Sequence, residues 1–207
     1  MSNKIFLNLF AFTVTKAIMN DEQLAAALKA QDPAVVQELL DSHGDQLLRS
    51  AFLLCGNEAE AQDFVQETFL QCIRSAHRFQ GRSAIYTWLH GILLNVIRHA
   101  RRKSARFVYD NELLSREVAT ETANQLDSEA ALSALRLALQ QLSEPHREII
   151  VLRYYENMKI HEIAGQLNIS KGTVKSRLHY AIRELQKIVP GELNLFGAHD
   201  TERIQKQ

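Results

Sequence analysis

Thr173, Lys175, Ser176, Arg177, His179, Tyr180 and Arg183 crowd one short stretch of chain with cationic, hydroxyl, phenol and imidazole groups. Cations neutralise phosphates, while the other groups donate to or accept from base edges in a major groove. Spacing decides how they are presented. Val174, Leu178, Ala181 and Leu185 recur at helical intervals, so they form the buried arc of a helix opening at Lys171, and the polar groups share its outer side. Ser170 suits the N-cap of that helix, and Gly172 leaves room for a sugar-phosphate backbone. Just ahead, Ile160, Ile163, Ala164 and Leu167 define a shorter amphipathic helix, and Asn168, Ile169 and Ser170 interrupt the pattern between the two. Two helices joined by a tight turn, the second with a cationic outer face, make a helix-turn-helix suited to duplex DNA. An ordinary solvated hairpin shares the periodicity but not the agreement of turn, cap and charge.

Two further constellations lie earlier in the chain. Between Asn57 and His77, Ala61, Val65, Phe69, Cys72 and Ala76 form one side of a helix. Opposite them stand Asp63, Gln66, Glu67 and Arg74, with Leu70 in their midst. A lone exposed leucine is ordinary, yet an apolar residue ringed by acids and amides is also how a small binding hot spot looks. From Phe79 to Lys103, Ser83 can cap a helix with Ile85, Leu89, Ile92 and Val96 as apolar positions. Tyr86, Trp88, His90 and Asn95 are interleaved with them, and Arg98, His99, Arg101, Arg102, Lys103 and Arg106 form a basic run. Aromatics beside cations suit single-stranded nucleic acid, where bases stack and phosphates need neutralising. A core tryptophan and a basic helix end that favours the macrodipole are the competing readings.

The elements that must position these groups are helical throughout. A chain of 207 residues with 3 prolines and no sustained alternation reads as all-α, with two small helical domains joined by a flexible linker. Lys plus Arg, 24, balance Asp plus Glu, 24, so contact with nucleic acid must come from local patches. Charge is indeed segregated: the basic run is followed by an acidic stretch from Asp110 to Glu129. Asp32-Pro33 starts a helix through Val36, Leu39, Leu40, Leu47, Leu48 and Phe52, with a disturbance expected at Gly44. Asn57 with Glu60 resembles a capping box. Cys55 and Cys72 lack CxxC spacing and read as reduced core cysteines. Ile5 to Ile18 is strongly apolar but short for a membrane span and lacks a clean cleavage site, which favours Met19 as the true start over a disordered extension. His161-Glu162 fails as a zinc-protease motif because Gly165 stands where a second histidine is needed. No nucleophile triad, phosphate loop or ligand cluster is present, so no enzyme activity, cofactor or metal is expected.

AQDFVQETFLQCIRSAHRFQGRSAIYTWLHGILLNVIRHARR and LSEPHREIIVLRYYENMKIHEIAGQLNISKGTVKSRLHYAIREL together resemble regions 2 and 4 of one family, the bacterial RNA polymerase sigma factors of the extracytoplasmic-function type within the sigma-70 family. The resemblance covers most of the chain. It implies a region 2-like domain over 19–106 after an extension at 1–18, an acidic linker over 107–128, a region 4-like helix-turn-helix domain over 129–190 and a tail at 191–207. It also implies a cytoplasmic, non-enzymatic protein that binds core RNA polymerase and promoter DNA and is held by an anti-sigma factor. Asp63, Gln66, Glu67, Leu70 and Arg74 then match the polymerase-docking face. Tyr86, Trp88, Asn95, Arg98, Arg101 and Arg102 match the helix that reads the downstream (−10) element, with Asn95 placed to meet a flipped-out base. Lys175, Ser176, His179 and Tyr180 match readers of the upstream (−35) element, and Thr173 and Arg177 its phosphate contacts. Two departures stand out: Gly91 replaces a cation common in relatives, and Lys159 replaces a capping Ser or Thr, leaving that helix poorly capped. The implied picture is two anchors held apart by the linker. A stand-alone repressor or activator using the same helix-turn-helix is the alternative.

Overall fold

The computed structural model describes residues 33–81, 83–110 and 127–188, with Gln23, residues 26–28 and Ala30 ahead of them. The expectations for residues 1–18, for the middle of the acidic linker and for the tail after Pro190 lie outside the described residues. Among the described residues all regular structure is helical.

Helix α1 spans Pro33–Cys55 and runs unbroken through Gly44, so the disturbance expected there does not occur. Proline suits its first position because the missing N–H has no intrahelical partner to lose. Gly56, at φ +80°, turns the chain away. Helix α2, Glu58–Ser75, begins where Asn57 Oδ1 accepts the Glu60 backbone N–H at 2.9 Å, and it tightens into a 3-10 turn at Ala76–Arg78. Helix α3, Ile85–Asp110, starts with the Ala84 carbonyl accepting the Trp88 N–H, so Ala84 rather than Ser83 stands at the cap. The first four residues of the expected linker therefore continue α3.

Helix α4, Asp127–Gln141, leads into α5, Glu144–Ile150, whose last turn widens into a π turn at Val151–Tyr155. Asn157, at φ 53°, stops that turn; asparagine tolerates the left-handed region better than most side chains. Helices α6, Ile160–Leu167, and α7, Lys171–Ile188, complete the described chain.

Helices α1, α2 and α3 pack on one another, and α5 and α6 each pack on α7. These are the two helical domains the sequence implies, but they do not stand apart. The ends of α1 and α3 meet α4, α5 and the π turn, and one continuous buried cluster runs from Leu39, Leu47 and Leu89 to Ile149, Leu152 and Leu178.

Candidate functional site

The helix-turn-helix forms through three local devices. Glu162 accepts the Lys159 backbone N–H at 2.6 Å. The cap that residue 159 cannot supply with its own side chain thus comes from the other half of a capping box, which corrects the expectation of a poorly capped α6. Asn168 closes α6 in the left-handed conformation, with φ 53° and ψ 48°, while the Ile169 N–H reaches back to the Ala164 carbonyl at 3.0 Å. Ser170 Oγ then accepts the Thr173 N–H at 3.0 Å, the predicted N-cap of α7. Ile160, Ile163, Ala164 and Leu167 are buried, as are Val174, Leu178, Ala181 and Leu185, so both helices are fixed by one apolar seam.

The opposite side of α7 is open. Ser176 and Tyr180 are exposed, and Thr173, Lys175, Arg177 and His179 are half-buried. The His179 and Tyr180 rings lie edge to face at 5.6 Å. Thr173 Oγ1 is engaged with Ser170 Oγ. A Cβ on Gly172 would sit an ordinary 3.6 Å from Ser170 Oγ, so the chain's own packing does not require glycine there. Arg177 differs from its neighbours: it lines a cleft of about 360 Å³ together with Arg98, Arg101 and Arg102 of α3.

On α2, Asp63, Gln66 and Leu70 are exposed, and Glu67 accepts from Gln71 at 3.1 Å and pairs loosely with Arg74 at 3.7 Å. Both ends of that pair are solvated, so it contributes little to stability. Leu70 is not alone. Leu40 of α1 and Ile73 stand beside it, all three between 41% and 45% exposed, over a groove of about 400 Å³ floored by Leu48, Val65 and Phe69. A wheel of α2 by itself cannot reveal Leu40, because the groove exists only where α1 and α2 meet. The only local signal was Ile73, lying apolar among the polar residues.

The residues expected on α3 separate into two groups. Asn95 and Arg102 are exposed. Trp88 is half-buried with its ring 5.0 Å from Phe79, joined to the core as much as presented. Tyr86, Arg98 and Arg101 turn toward the second domain. Arg98 makes a two-pronged pair with Glu148 at 2.8 and 2.6 Å. Arg101 donates to the Leu54 carbonyl at 2.6 Å and lies 3.4 Å from Glu144. The Tyr86 hydroxyl donates to Glu156 at 2.9 Å.

His90, next to Tyr86, is 1% exposed and bonds Ser50 at 2.8 Å. Burial pushes its pKa from 6.5 down to about 4, so the ring is neutral. Burial also raises the Glu156 carboxyl, and burial together with Glu156 raises the Tyr86 phenol far above its usual range. Cys72 is buried and its thiol is raised to about 11 by burial; Cys55 is raised for the same reason. Among the described residues no group of His, Cys, Asp and Glu is arranged to hold a metal, and no helix is long and apolar enough to cross a membrane.

Comparison with known proteins follows this division. Residues 39–107 match the family model for sigma-70 region 2, and residues 138–187 match that for sigma-70 region 4. The ECF RNA polymerase sigma factor SigL of Mycobacterium tuberculosis is 37% identical over 160 residues, covering 76% of this chain and 90% of that protein. SigW of Bacillus subtilis, also an ECF RNA polymerase sigma factor, is 30% identical over 171 residues, covering 77% and 91%. Among solved structures, the sigma factor RpoE of Bartonella quintana in complex with the anti-sigma factor NepR is similar with a TM-score of 0.62 and 30% identity, over 73% of this chain and 94% of that one.

Proposed function

Since this chain belongs to the sigma-70 family of RNA polymerase sigma factors, in its extracytoplasmic-function group, we propose that it binds core RNA polymerase, recognises the −10 and −35 promoter elements and promotes melting between them. It acts as an initiation factor in the cytoplasm rather than as an enzyme. The observation that carries the reading is the pairing, in one chain, of a helix-turn-helix whose α7 face is open with a first domain whose apolar groove is rimmed by Asp45 and Gln66.

Each surface has a role suited to its chemistry. The groove with Leu70 at its lip takes the polymerase, helped by Asp63, Gln66, Glu67 and Arg74: exposed apolar side chains gain by burial, and the surrounding polar rim sets orientation. Lys175, Ser176, His179 and Tyr180 read the upstream element as duplex, with Thr173 and Arg177 toward phosphates. On α3, Asn95 receives an extruded base, Tyr86 and Trp88 offer ring faces, and Arg98, Arg101 and Arg102 hold the strand. Extruding a base costs a few kcal/mol, which stacking and pocket contacts must offset. An anti-sigma factor is the expected inhibitor, by likeness to the complex of the Bartonella protein.

Run-off transcription by core polymerase on a promoter library tests the reading, with Leu70→Arg as its internal control. The wild type should give discrete transcripts. The variant should lose about 2 kcal/mol or more of core affinity without losing its fold, the size of a hot-spot loss. Specific footprints from the chain alone, with no transcript when core enzyme is added, would instead identify a stand-alone regulator.

A further inference from the structure

The cleft that Arg177 of α7 shares with Arg98, Arg101 and Arg102 of α3 is unevenly charged. Its walls carry four guanidinium groups against two carboxylates, those of Glu144 and Glu148, so two positive charges are left over in about 360 Å³. The chain as a whole is neutral, and the excess is therefore local. Both carboxylates are already committed. Glu148 takes the two prongs of Arg98 at 2.8 and 2.6 Å, and Glu144 lies 3.4 Å from Arg101. That leaves Arg102 and Arg177. Arg102 engages its Nε alone, donating to the Arg98 carbonyl at 3.3 Å, and Arg177 forms no hydrogen bond or ion pair among the described residues. Donors outnumber acceptors here as well, since Arg101 Nη1 is buried without a partner.

Two unopposed guanidinium groups in one concave site repel each other, and the repulsion is relieved when an anion lies between them. The volume is that of a small-molecule site. It is too confined for a duplex, and Glu144 and Glu148 in its walls oppose a continuous strand whose negative charge runs on past the cleft. We propose that the cleft is a binding site for a small oligophosphate, a molecule with two or more linked phosphate groups, held between Arg102 of the first domain and Arg177 of the second. Linked phosphates offer adjacent forks of oxygens to two guanidinium groups at once, and each such pair is charge-assisted and two-pronged. Their several negative charges match the excess, which a lone chloride does not. Inorganic pyrophosphate and the nucleoside diphosphates share this chemistry. The site adds a ligand to arginines that the sigma function turns toward DNA, and it does not depend on that use.

Isothermal titration of the full chain with inorganic pyrophosphate tests this, in about 0.15 M potassium chloride to screen loose surface attraction. One pyrophosphate should bind per chain, and it should raise the thermal midpoint, because a ligand of the folded chain stabilises that state. Arg102→Ala and Arg177→Ala should each bind about tenfold more weakly, the worth of one charge-assisted contact. Where an alanine variant loses its helical circular dichroism, Arg102→Lys or Arg177→Lys takes its place; lysine keeps the charge without the fork, so affinity should still fall. Lys187→Ala removes an exposed cation from α7 outside the cleft and should bind as the wild type does. ADP and GDP form the second arm. Affinity equal to or below that of pyrophosphate assigns the cleft to the phosphates alone, and tighter binding assigns its remaining space to a nucleoside. No heat from any of the three, an equal loss in Lys187→Ala, or a loss at only one of the two arginines overturns the proposal.

Discussion

Two helices of this protein carry a basic, polar face assigned to DNA, and the fold treats them in opposite ways. On α7, Lys175, Ser176 and Tyr180 look outward, and none of them enters an ion pair among the described residues. On α3, Arg98 and Arg101 are engaged by glutamates of the other domain, and Tyr86 by Glu156, while Asn95 and Arg102 remain exposed. A polar arc on an amphipathic helix shows where a side chain can reach; only tertiary packing decides whether it is free. The upstream face can therefore meet duplex DNA as it stands. Under the roles proposed above, the downstream face exchanges one set of anionic partners for another, whereas the upstream face has no such exchange to make.

Truncating one member of each kind of residue should break or sharpen this contrast most clearly. Arg98→Ala removes both hydrogen bonds that Arg98 gives to the buried Glu148, and breaking such a pair from one side is costly. A stability loss of about 2–3 kcal/mol is expected in urea denaturation of the full chain, scaled down because Arg98 keeps 28% of its side chain in water. Arg102→Ala, on the same helix but exposed, should change stability by no more than about 0.5 kcal/mol. A loss at Arg98 as small as that expected at Arg102 would mean that the Arg98–Glu148 pair stabilises nothing.

Acidification is the next largest lever. His90 faces Ser50 from α1, Glu156 beyond the π turn, Gln166 from α6 and Tyr86 on its own helix. Its pKa falls from 6.5 to about 4 on burial, so the unfolded chain binds a proton between those values and the folded chain does not. Stability of the folded chain therefore falls as pH drops through that window, by at most about 1.4 kcal/mol per pH unit. From pH 7 to pH 5.5 the His90 contribution is about 1 kcal/mol. Glu156, whose carboxyl is raised by burial, opposes it by holding a proton more readily in the folded chain. Denaturation midpoints of wild type and His90→Gln at the two pH values isolate the histidine. The variant should show the shallower acid loss, and an identical slope in both proteins would assign the effect elsewhere.

The same contrast governs how much was legible in the sequence. The helix-turn-helix was readable nearly to the residue, because Ser170, Asn168 and the Val174–Leu185 arc act on neighbours three or four positions away. Helix α3 was read less well. The spacing predicts Ile85, Leu89, Ile92 and Val96 as its apolar side; Ile92 is only partly buried, whereas Leu93, Leu94 and Ile97 are fully so, because α1 and α2 cover the helix and the second domain meets it through Arg98 and Tyr86. His90, grouped by its chemistry with possible base contacts, is in the interior for that reason. The pairing of Arg98 with Glu148 spans 50 positions, and that of Tyr86 with Glu156 spans 70; no local period reports such distances. The place of Leu40 beside Leu70 is hidden for the same cause, since the two lie on different helices and the sequence shows Leu40 only as part of the α1 pattern.

The smallest effects belong to α7, and they are the most discriminating. Ser170→Ala removes the acceptor for the Thr173 N–H and should cost about 1 kcal/mol, read as a lower thermal midpoint. Lys175→Ala should leave stability within about 0.5 kcal/mol of the wild type, since the side chain is half-solvated and unpaired among the described residues. Its effect should appear only on DNA. Transcription from a promoter dependent on the upstream element should fall, and if the ammonium meets a phosphate, the slope of log affinity against log salt should drop by about one. A lower affinity with the salt slope retained would place Lys175 at a base edge instead. A stability loss as large as that of Arg98→Ala would show that α7, like α3, is already engaged by the chain's own groups, and the contrast between the two faces would disappear.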